Sequence, residues 1–186
     1  MRDILLALLM VGLLGMAIRN PVIGAYLWAW ISLMNPHTLT FGFARSVPWA
    51  AIIALITMGG LLFSRRRKAL PMNGGTILLL LLIAWMTVTS FFALNEPTLV
   101  WDRWIFVMKT FVMLLVTFML LRGRVEIERL IWVIVISVGF YGVKGGIWTL
   151  LTGGSGRVWG PPGGMLAGNN ELAVALVLLL PLFYYL

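Results

Sequence analysis

Between two strongly apolar runs, residues 155–171 read SGRVWGPPGGMLAGNNE. Glycine and proline at this density cannot continue a helix, because glycine loses the most backbone freedom on ordering and proline lacks an N–H. Irregular backbone is not tolerated where it faces lipid. If the flanking runs lie in a membrane, this stretch is a structured loop at the membrane boundary or a re-entrant turn that lines a cavity. Residues 152–168 are called the glycine-rich loop below.

Polar side chains mark the middle and the end of this stretch. Arg157 is its single cation, and Asn169, Asn170 and Glu171 directly precede the last apolar run. Side-chain oxygens at the start of a helix accept hydrogen bonds from its free N–H groups. We therefore predict that Asn169-Asn170-Glu171 caps the helix that follows.

The composition indicates the class of protein. Of 186 residues, 61% are hydrophobic and 11% charged, whereas a soluble domain carries about 25% charged residues. The sequence predicts an all-α, polytopic transmembrane protein, with the lipid bilayer as a partner. A net charge of +8 would suggest nucleic acid in a soluble chain, but cytoplasmic loops of membrane proteins collect Lys and Arg, so no nucleic acid is expected.

Cysteine and histidine usage limits the chemistry. The chain has no cysteine and one histidine, which excludes disulfides and Cys-based metal sites and argues against a cluster of histidine ligands. We expect neither a metal nor another cofactor. The histidine, His37, has no suitably spaced carboxylate in its loop, and a catalytic role for it is not favoured.

Apolar runs predict a helical bundle of about six or seven membrane segments, with the chain ending inside the last. The predicted segments are residues 4–18, 22–34, 48–63, 74–94, 104–121, 130–151 and 170–186. The first two are shorter than the roughly 20 residues needed to span a bilayer. They are predicted to form a tight hairpin or one broken helix.

Two charged turns orient these segments. Residues 65–68 form the densest basic cluster, and residues 122–129 form a turn with more cations than anions. The positive-inside rule places both turns in the cytoplasm. Two predicted segments separate the turns, so both turns lie on the same side of the membrane, as the rule requires. The loop around His37, the connection at residues 95–103 and the glycine-rich loop then face outward. A hairpin of the first two segments leaves the N-terminus outside.

Several cations near the predicted outer side are not explained by topology: Arg45, Arg103, Lys109, Lys144 and Arg157. A cation inside the membrane costs about 2.5–3.5 kcal/mol, so it normally faces a cavity or a partner. The partners could be Glu96, Asp102 and Glu171, and the lysines could also reach the interface by snorkelling.

A second interpretation is an outward basic cavity that holds an anion, most simply a phosphate or diphosphate. The planar guanidinium of arginine suits that ligand. The glycine-rich loop leads into a helix N-terminus, which would add backbone N–H donors. Around Lys144, Gly139, Gly142, Gly145 and Gly146 are predicted to permit close helix packing.

Three stretches together resemble the O-antigen ligase superfamily. They are Met1-Arg2-Asp3-Ile4, the Asn35-Pro36-His37 turn leading to Gly42-Phe43-Ala44, and Gly160 to Asn170 with Leu172-Ala173 and Pro181-Leu182. The chain most resembles the branch of O-glycosylation ligases associated with the exosortase A system. The resemblance runs over essentially the whole chain.

This resemblance implies a multi-pass inner-membrane enzyme of Gram-negative bacteria. Such a ligase transfers a glycan from undecaprenyl diphosphate to an acceptor on the periplasmic side, by metal-independent inverting displacement of the lipid diphosphate. Arg157 matches the arginine of the periplasmic stretch that ends in Asn169 and Asn170, so these residues are expected to bind diphosphate or glycan.

Members of that family are more than twice as long, and their catalytic histidine lies in a large downstream periplasmic loop. The chain is therefore expected to be an N-terminal portion that carries no catalytic residue and works with a C-terminal half. Residues 1–151 would form the membrane domain, and residues 152–186 the glycine-rich loop and the start of the ligase core domain.

Two other functions stay open on the sequence. A non-catalytic membrane protein could use the same cations to bind or transport a polyprenyl phosphate. A purely structural membrane subunit is favoured if Lys109 and Lys144 face lipid or pair internally.

Overall fold

The chain is described by a computed structural model that covers residues 1–64 and 69–186 and contains helices but no strand in those ranges. This confirms the predicted all-α class for the described residues. The helices are α1 Arg2–Arg19, α2 Pro21–Met34, α3 Trp49–Phe63, α4 Gly74–Phe91, α5 Pro97–Leu120, α6 Arg124–Leu151 and α7 Asn169–Tyr185. Two short 3-10 turns, Pro36–Leu39 and Phe43–Arg45, lie between α2 and α3.

In the described ranges, α4, α5 and α6 are long and apolar enough to cross a membrane. At 1.5 Å per residue they measure about 27, 36 and 42 Å, against a hydrocarbon core of about 30 Å. The helices α2, α3 and α7 are shorter apolar helices. These lengths indicate a membrane protein, and the number of six or seven spans stays a prediction. The basic cluster predicted at residues 65–68 lies outside the described residues.

The helices form two compact units. Residues 1–64 and 123–186 make a five-helix unit of α1, α2, α3, α6 and α7, and residues 69–122 make a hairpin unit of α4 and α5. The glycine-rich loop and α7 therefore belong to the same unit as the first three helices. The division into residues 1–151 and 152–186 stays a prediction.

Helix α2 is the central helix of the five-helix unit, because it packs against α1, α3 and α6. Its start is fixed locally: Pro21 is the first helical residue, and the Asn20 side chain accepts the Val22 N–H at 3.2 Å. Proline also holds the preceding residue in an extended conformation, which ends α1. Since α1 and α2 pack against each other, the first two segments form a hairpin and not one broken helix.

The start of α1 is tied to the segment between α2 and α3. Asp3 Oδ1 accepts the N–H groups of Gly42 and Ala44 at 3.0 and 3.2 Å. At the opposite end of these helices, Gly60 of α3 backs onto Pro21. The N-terminus therefore lies at the same end of the unit as the loop that contains His37, as the predicted hairpin requires.

Helices α6 and α7 run antiparallel and share a core. Gly142 of α6 faces Leu176, and Gly139 faces Phe183 farther along α7. The buried residues between them are Val135, Val138, Tyr141, Leu172 and Leu179. The predicted close packing is confirmed at Gly139 and Gly142, whereas nothing lies within 4 Å of a Cβ added at Gly146.

Helix α5 begins earlier than predicted, at Pro97 instead of Trp104. Proline suits the first helical position because its fixed φ is helical and its missing N–H would have no partner there. Arg103 is consequently a helical residue and does not belong to a connection spanning residues 95–103.

Helix α6 also begins earlier, at Arg124 instead of Leu130. The Glu126 carboxylate accepts the Gly123 N–H at 3.2 Å, and Arg124 pairs with Glu128 at 2.8 Å. These local contacts stabilise a first turn made of charged residues. Most of the charged turn predicted over residues 122–129 is therefore helix.

A substitution at Gly24 tests the packing of α2 on α3. A Cβ added there would collide with Thr57, which is fully buried and donates its hydroxyl to the Ile53 carbonyl at 2.6 Å. Gly24→Ala is expected to lower the free energy of unfolding by about 1–3 kcal/mol, as overpacking does. The measurement is thermal unfolding of the full chain in one detergent.

The matched control is Gly12→Ala, because nothing lies within 4 Å of a Cβ added at Gly12. Alanine is a better helix former by about 1 kcal/mol, so this variant should be as stable as wild type or more stable. A Gly24→Ala protein that unfolds at the wild-type temperature would contradict the close contact between α2 and α3.

Candidate functional site

Two glycines end α6 and turn the chain back. Gly153 and Gly154 have φ of +63° and +78°, a region that favours glycine. The Gly154 N–H donates to the Thr149 carbonyl at 2.9 Å. This hydrogen bond satisfies one of the free carbonyls at the helix C-terminus, as in a Schellman motif. The glycine-rich loop starts from this turn.

The first part of the loop packs back along α6. Gly156 lies against the indole ring of Trp148, and Val158 lies against Gly145, three residues earlier on the helix. A Cβ at Gly156 would collide with Trp148, and a Cβ at Gly145 would collide with Val158. Both close approaches therefore need glycine, and together they set the course of the loop.

These two contacts place the loop segment that contains Arg157 on the part of α6 that contains Lys144. Arg157 lies between the two contacting loop residues, and Lys144 directly precedes Gly145 and lies one turn before Trp148. Helical residues four apart are neighbours on the helix surface, with Cβ atoms about 5–6 Å apart. Both cationic side chains are exposed. The two charges therefore belong to segments that pack against each other.

The second part of the loop is a closed turn on the end of α2. The Gly160 N–H donates to the Ala167 carbonyl at 3.2 Å, and Pro161 is fully buried. Gly164 rests on the side-chain amide of Asn35, which ends α2 in a left-handed conformation. The stretch is an ordered loop, and its place at a membrane boundary or as a re-entrant turn stays a prediction.

A hydrogen bond holds α6 to the same end of α2. The Tyr141 hydroxyl donates to the Met34 carbonyl at 2.8 Å. The N-terminal residues 1–3, residues 35–46 and the glycine-rich loop therefore share one end of the five-helix unit, called the loop end below. Arg45 is exposed at this end, and among the described residues its side chain forms no hydrogen bond with the glycine-rich loop.

The prediction that Asn169 and Asn170 cap α7 is wrong. They are its first two residues, Gly168 occupies the N-cap position, and no side chain caps the helix. The Glu171 carboxylate turns back onto Gly168, where an added Cβ would collide with it. A negative charge is favoured at a helix N-terminus, so the carboxylate takes the position predicted for a bound anion.

Arg103 and Lys109 belong to the hairpin unit. Arg103 lines a cleft of about 500 Å³ between α4 and α5, whereas Lys109 is exposed and does not line it. Each unit therefore has its own basic group, Arg103 on α5 and Lys144 with Arg157 on the five-helix unit.

The carboxylates proposed as internal partners do not neutralise these cations. Within residues 1–64 and 69–186, none of the five cations forms an ion pair with Glu96, Asp102 or Glu171. All five side chains are exposed. Their charge is therefore available to a ligand.

His37 lies in the first 3-10 turn. Its Nδ1 is buried and has no hydrogen-bond partner in the part of the chain that the structure describes. Burial lowers the pKa of His37, so the ring is neutral at neutral pH. Residues 1–64 and 69–186 contain no group of three His, Asp or Glu side chains that could hold a metal ion.

Sequence reasoning missed the residues that position the cations. Trp148 and Asn35 hold the loop, but an aromatic residue near a segment end and an asparagine in a turn carry no distinctive signal. The loop glycines that Trp148 and Asn35 contact were visible in the sequence as a dense group, but the sequence did not show which residues contact them.

Comparison of the chain with curated proteins and with solved structures gives no match. Comparison with protein families matches residues 1–186, the full sequence, to a family of unknown function, DUF5935. The chain therefore belongs to the DUF5935 family.

Proposed function

We propose that the chain binds an undecaprenyl-diphosphate-linked glycan at the loop end, as the N-terminal part of a membrane glycan ligase. The observation that carries this proposal is that the loop segment containing Arg157 packs on the part of α6 that contains Lys144, through the Val158–Gly145 and Gly156–Trp148 contacts, with both cations exposed. The sequence resemblance to O-antigen ligases supplies the identity of the carrier lipid.

The chemistry of the two cations suits a diphosphate. The guanidinium of Arg157 offers two parallel N–H donors to one phosphate group, and the ammonium of Lys144 acts as a point charge on the other. Asn169 and Asn170 form no hydrogen bond through their side chains among the described residues. Their amides are free to bind the glycan.

The depth of Lys144 agrees with a lipid-linked ligand. It lies seven residues before the end of α6 at Leu151, about 10 Å along the axis at 1.5 Å per residue. A polyprenyl chain in the bilayer would present its diphosphate near this level. The loop end would then be the periplasmic side of the bacterial inner membrane.

In the proposed reaction an acceptor oxygen attacks the anomeric carbon of the glycan. The bond from that carbon to the diphosphate oxygen breaks, and the electron pair stays on the leaving undecaprenyl diphosphate. Cations beside that oxygen stabilise the charge that develops in the transition state. The acceptor loses its proton to a base that we place in the C-terminal half of the ligase.

A non-catalytic role in carrier binding or transport is the second candidate. Both functions require the same binding site, so binding measurements test their shared step, and a glycan-transfer assay with the C-terminal half separates them.

Charge removal tests the binding site. Lys144→Ala and Arg157→Ala are each expected to weaken binding of undecaprenyl diphosphate to the full chain in nanodiscs by about tenfold, the equivalent of about 1.4 kcal/mol. Arg157→Lys should fall between wild type and Arg157→Ala, because it keeps the charge and loses the planar pair of donors.

The matched control is Arg129→Ala, which removes an exposed cation near the opposite end of the same helix. Its affinity should equal that of wild type. Wild-type affinity in both Lys144→Ala and Arg157→Ala, or an equal loss in Arg129→Ala, would refute a diphosphate site at the loop end.

Cysteine labelling tests the proposed orientation, since the chain has no cysteine of its own. Ser155→Cys, in the exposed glycine-rich loop, should react with a membrane-impermeant maleimide in spheroplasts of a Gram-negative host. Arg129→Cys should react only after the membrane is permeabilised. The reverse pattern would place the loop end in the cytoplasm and exclude a periplasmic reaction there.

A further inference from the structure

The cleft between α4 and α5 lies beside the turn that joins these helices. Its volume of about 500 Å³ falls within the range of roughly 300–1,000 Å³ typical of ligand pockets. Ser90, Asn95, Leu99 and Val100 line the part nearest the turn, Arg103 lines the middle at the level of Met86, and Val107 lies farthest from the turn. The polar side chains of the cleft therefore all lie on the turn side of Val107.

The free polar groups of the cleft are mainly donors. The Asn95 side-chain oxygen accepts the Glu96 N–H at 2.8 Å, which leaves the two amide N–H groups of Asn95 available. Arg103 forms no hydrogen bond or ion pair among the described residues, and its guanidinium has five N–H donors. Since no carboxylate lines the cleft, it suits an anion.

Aromatic contacts hold the wall of the cleft in place. Trp104 lines it and donates its indole N–H to Thr87 Oγ1 at 3.1 Å. Trp101 stacks edge-on against both Trp104 and Phe91, with ring centroids 5.6 and 5.0 Å apart. Aromatic rings of this kind are enriched where the hydrocarbon of a membrane meets its headgroups.

Both walls belong to helices that are long and apolar enough to cross a membrane. The aromatic group then marks the headgroup level, with Arg103 beside it and Val107 one turn deeper. A ligand with an anionic head and an apolar chain matches this order of groups. Bilayer lipids supply such a ligand wherever the helices are inserted.

We infer that this cleft binds the headgroup of an anionic bilayer phospholipid of the phosphatidylglycerol type. Its phosphate lies on Arg103 and Asn95, and one acyl chain follows Met86 and Val107. A zwitterionic headgroup is disfavoured because its cation would find no carboxylate in the lining. This site goes beyond the proposed function, since it lies in the hairpin unit and uses neither Lys144 nor Arg157.

The experiment is native mass spectrometry of the full chain in neutral detergent, titrated with dioleoylphosphatidylglycerol or dioleoylphosphatidylcholine. Arg103→Ala is expected to weaken phosphatidylglycerol binding by about tenfold, a loss typical of a charge-assisted contact. Val107→Trp, which fills the apolar part of the cleft, should weaken it as well. Lys109→Ala is the matched control, because it removes an exposed cation from the same helix outside the cleft.

Three outcomes would overturn the inference. They are an equal loss in Arg103→Ala and Lys109→Ala, equal affinity for the two phospholipids, and displacement of phosphatidylglycerol by one equivalent of undecaprenyl phosphate. Lys144→Ala and Arg157→Ala should bind phosphatidylglycerol as wild type does. Failure of the carrier-lipid site and failure of this site therefore give different results.

Discussion

The approach of Val158 to Gly145 determines where the glycine-rich loop lies. A methyl group at residue 145 would occupy the space that Val158 fills, so the loop can follow α6 only because that helix lacks a side chain there. The position of Arg157 relative to Lys144 depends on this contact and on its neighbour at Trp148. The fold and the candidate site are thus connected through two glycines.

Internal hydrogen bonding completes the loop. Backbone N–H and C=O groups without partners are costly in an apolar environment, and this segment contains two prolines and several glycines that cannot form a helix. The bonds from Gly160 to Ala167 and from Gly164 to Pro161 close it on itself. The contact of Gly164 with the Asn35 side chain then fixes the loop on the end of α2. The exposed Arg157 belongs to this loop.

The number and rough position of the helices could be predicted from sequence, because apolar runs of this length are typical of membrane helices. The first residue of a helix was harder to predict where the first turn of the helix consists of charged or polar residues. The residues from Arg124 to Glu128 read as a turn because they are charged, but a capping contact and an ion pair four residues apart stabilise them as helix. At α7, three polar residues stand in the first turn, and the Glu171 carboxylate lies against Gly168 at the helix N-terminus, where a negative charge is favoured.

The candidate site was only partly predictable. Cations that topology does not explain were visible in the sequence, and two of them lie in segments that pack against each other. Their common position depends on contacts between distant residues, such as Asn35 with Gly164 and Met34 with Tyr141. No periodicity or local spacing encodes such pairs.

A disulfide between the end of α2 and the glycine-rich loop tests the docked loop most directly. A Cβ at Gly164 would lie 3.6 Å from Cγ of Asn35, which is one bond beyond the Asn35 Cβ. The two Cβ positions are therefore near enough for a disulfide, in which the Cβ atoms are about 3.5–4.5 Å apart. Asn35→Cys with Gly164→Cys should cross-link on mild oxidation of the full chain, as seen by peptide mass spectrometry. Asn35→Cys with Gly153→Cys should not, because nothing lies within 4 Å of a Cβ at Gly153. Equal cross-linking of both pairs, or none in the first, would contradict a loop docked on α2 and the position it gives to Arg157.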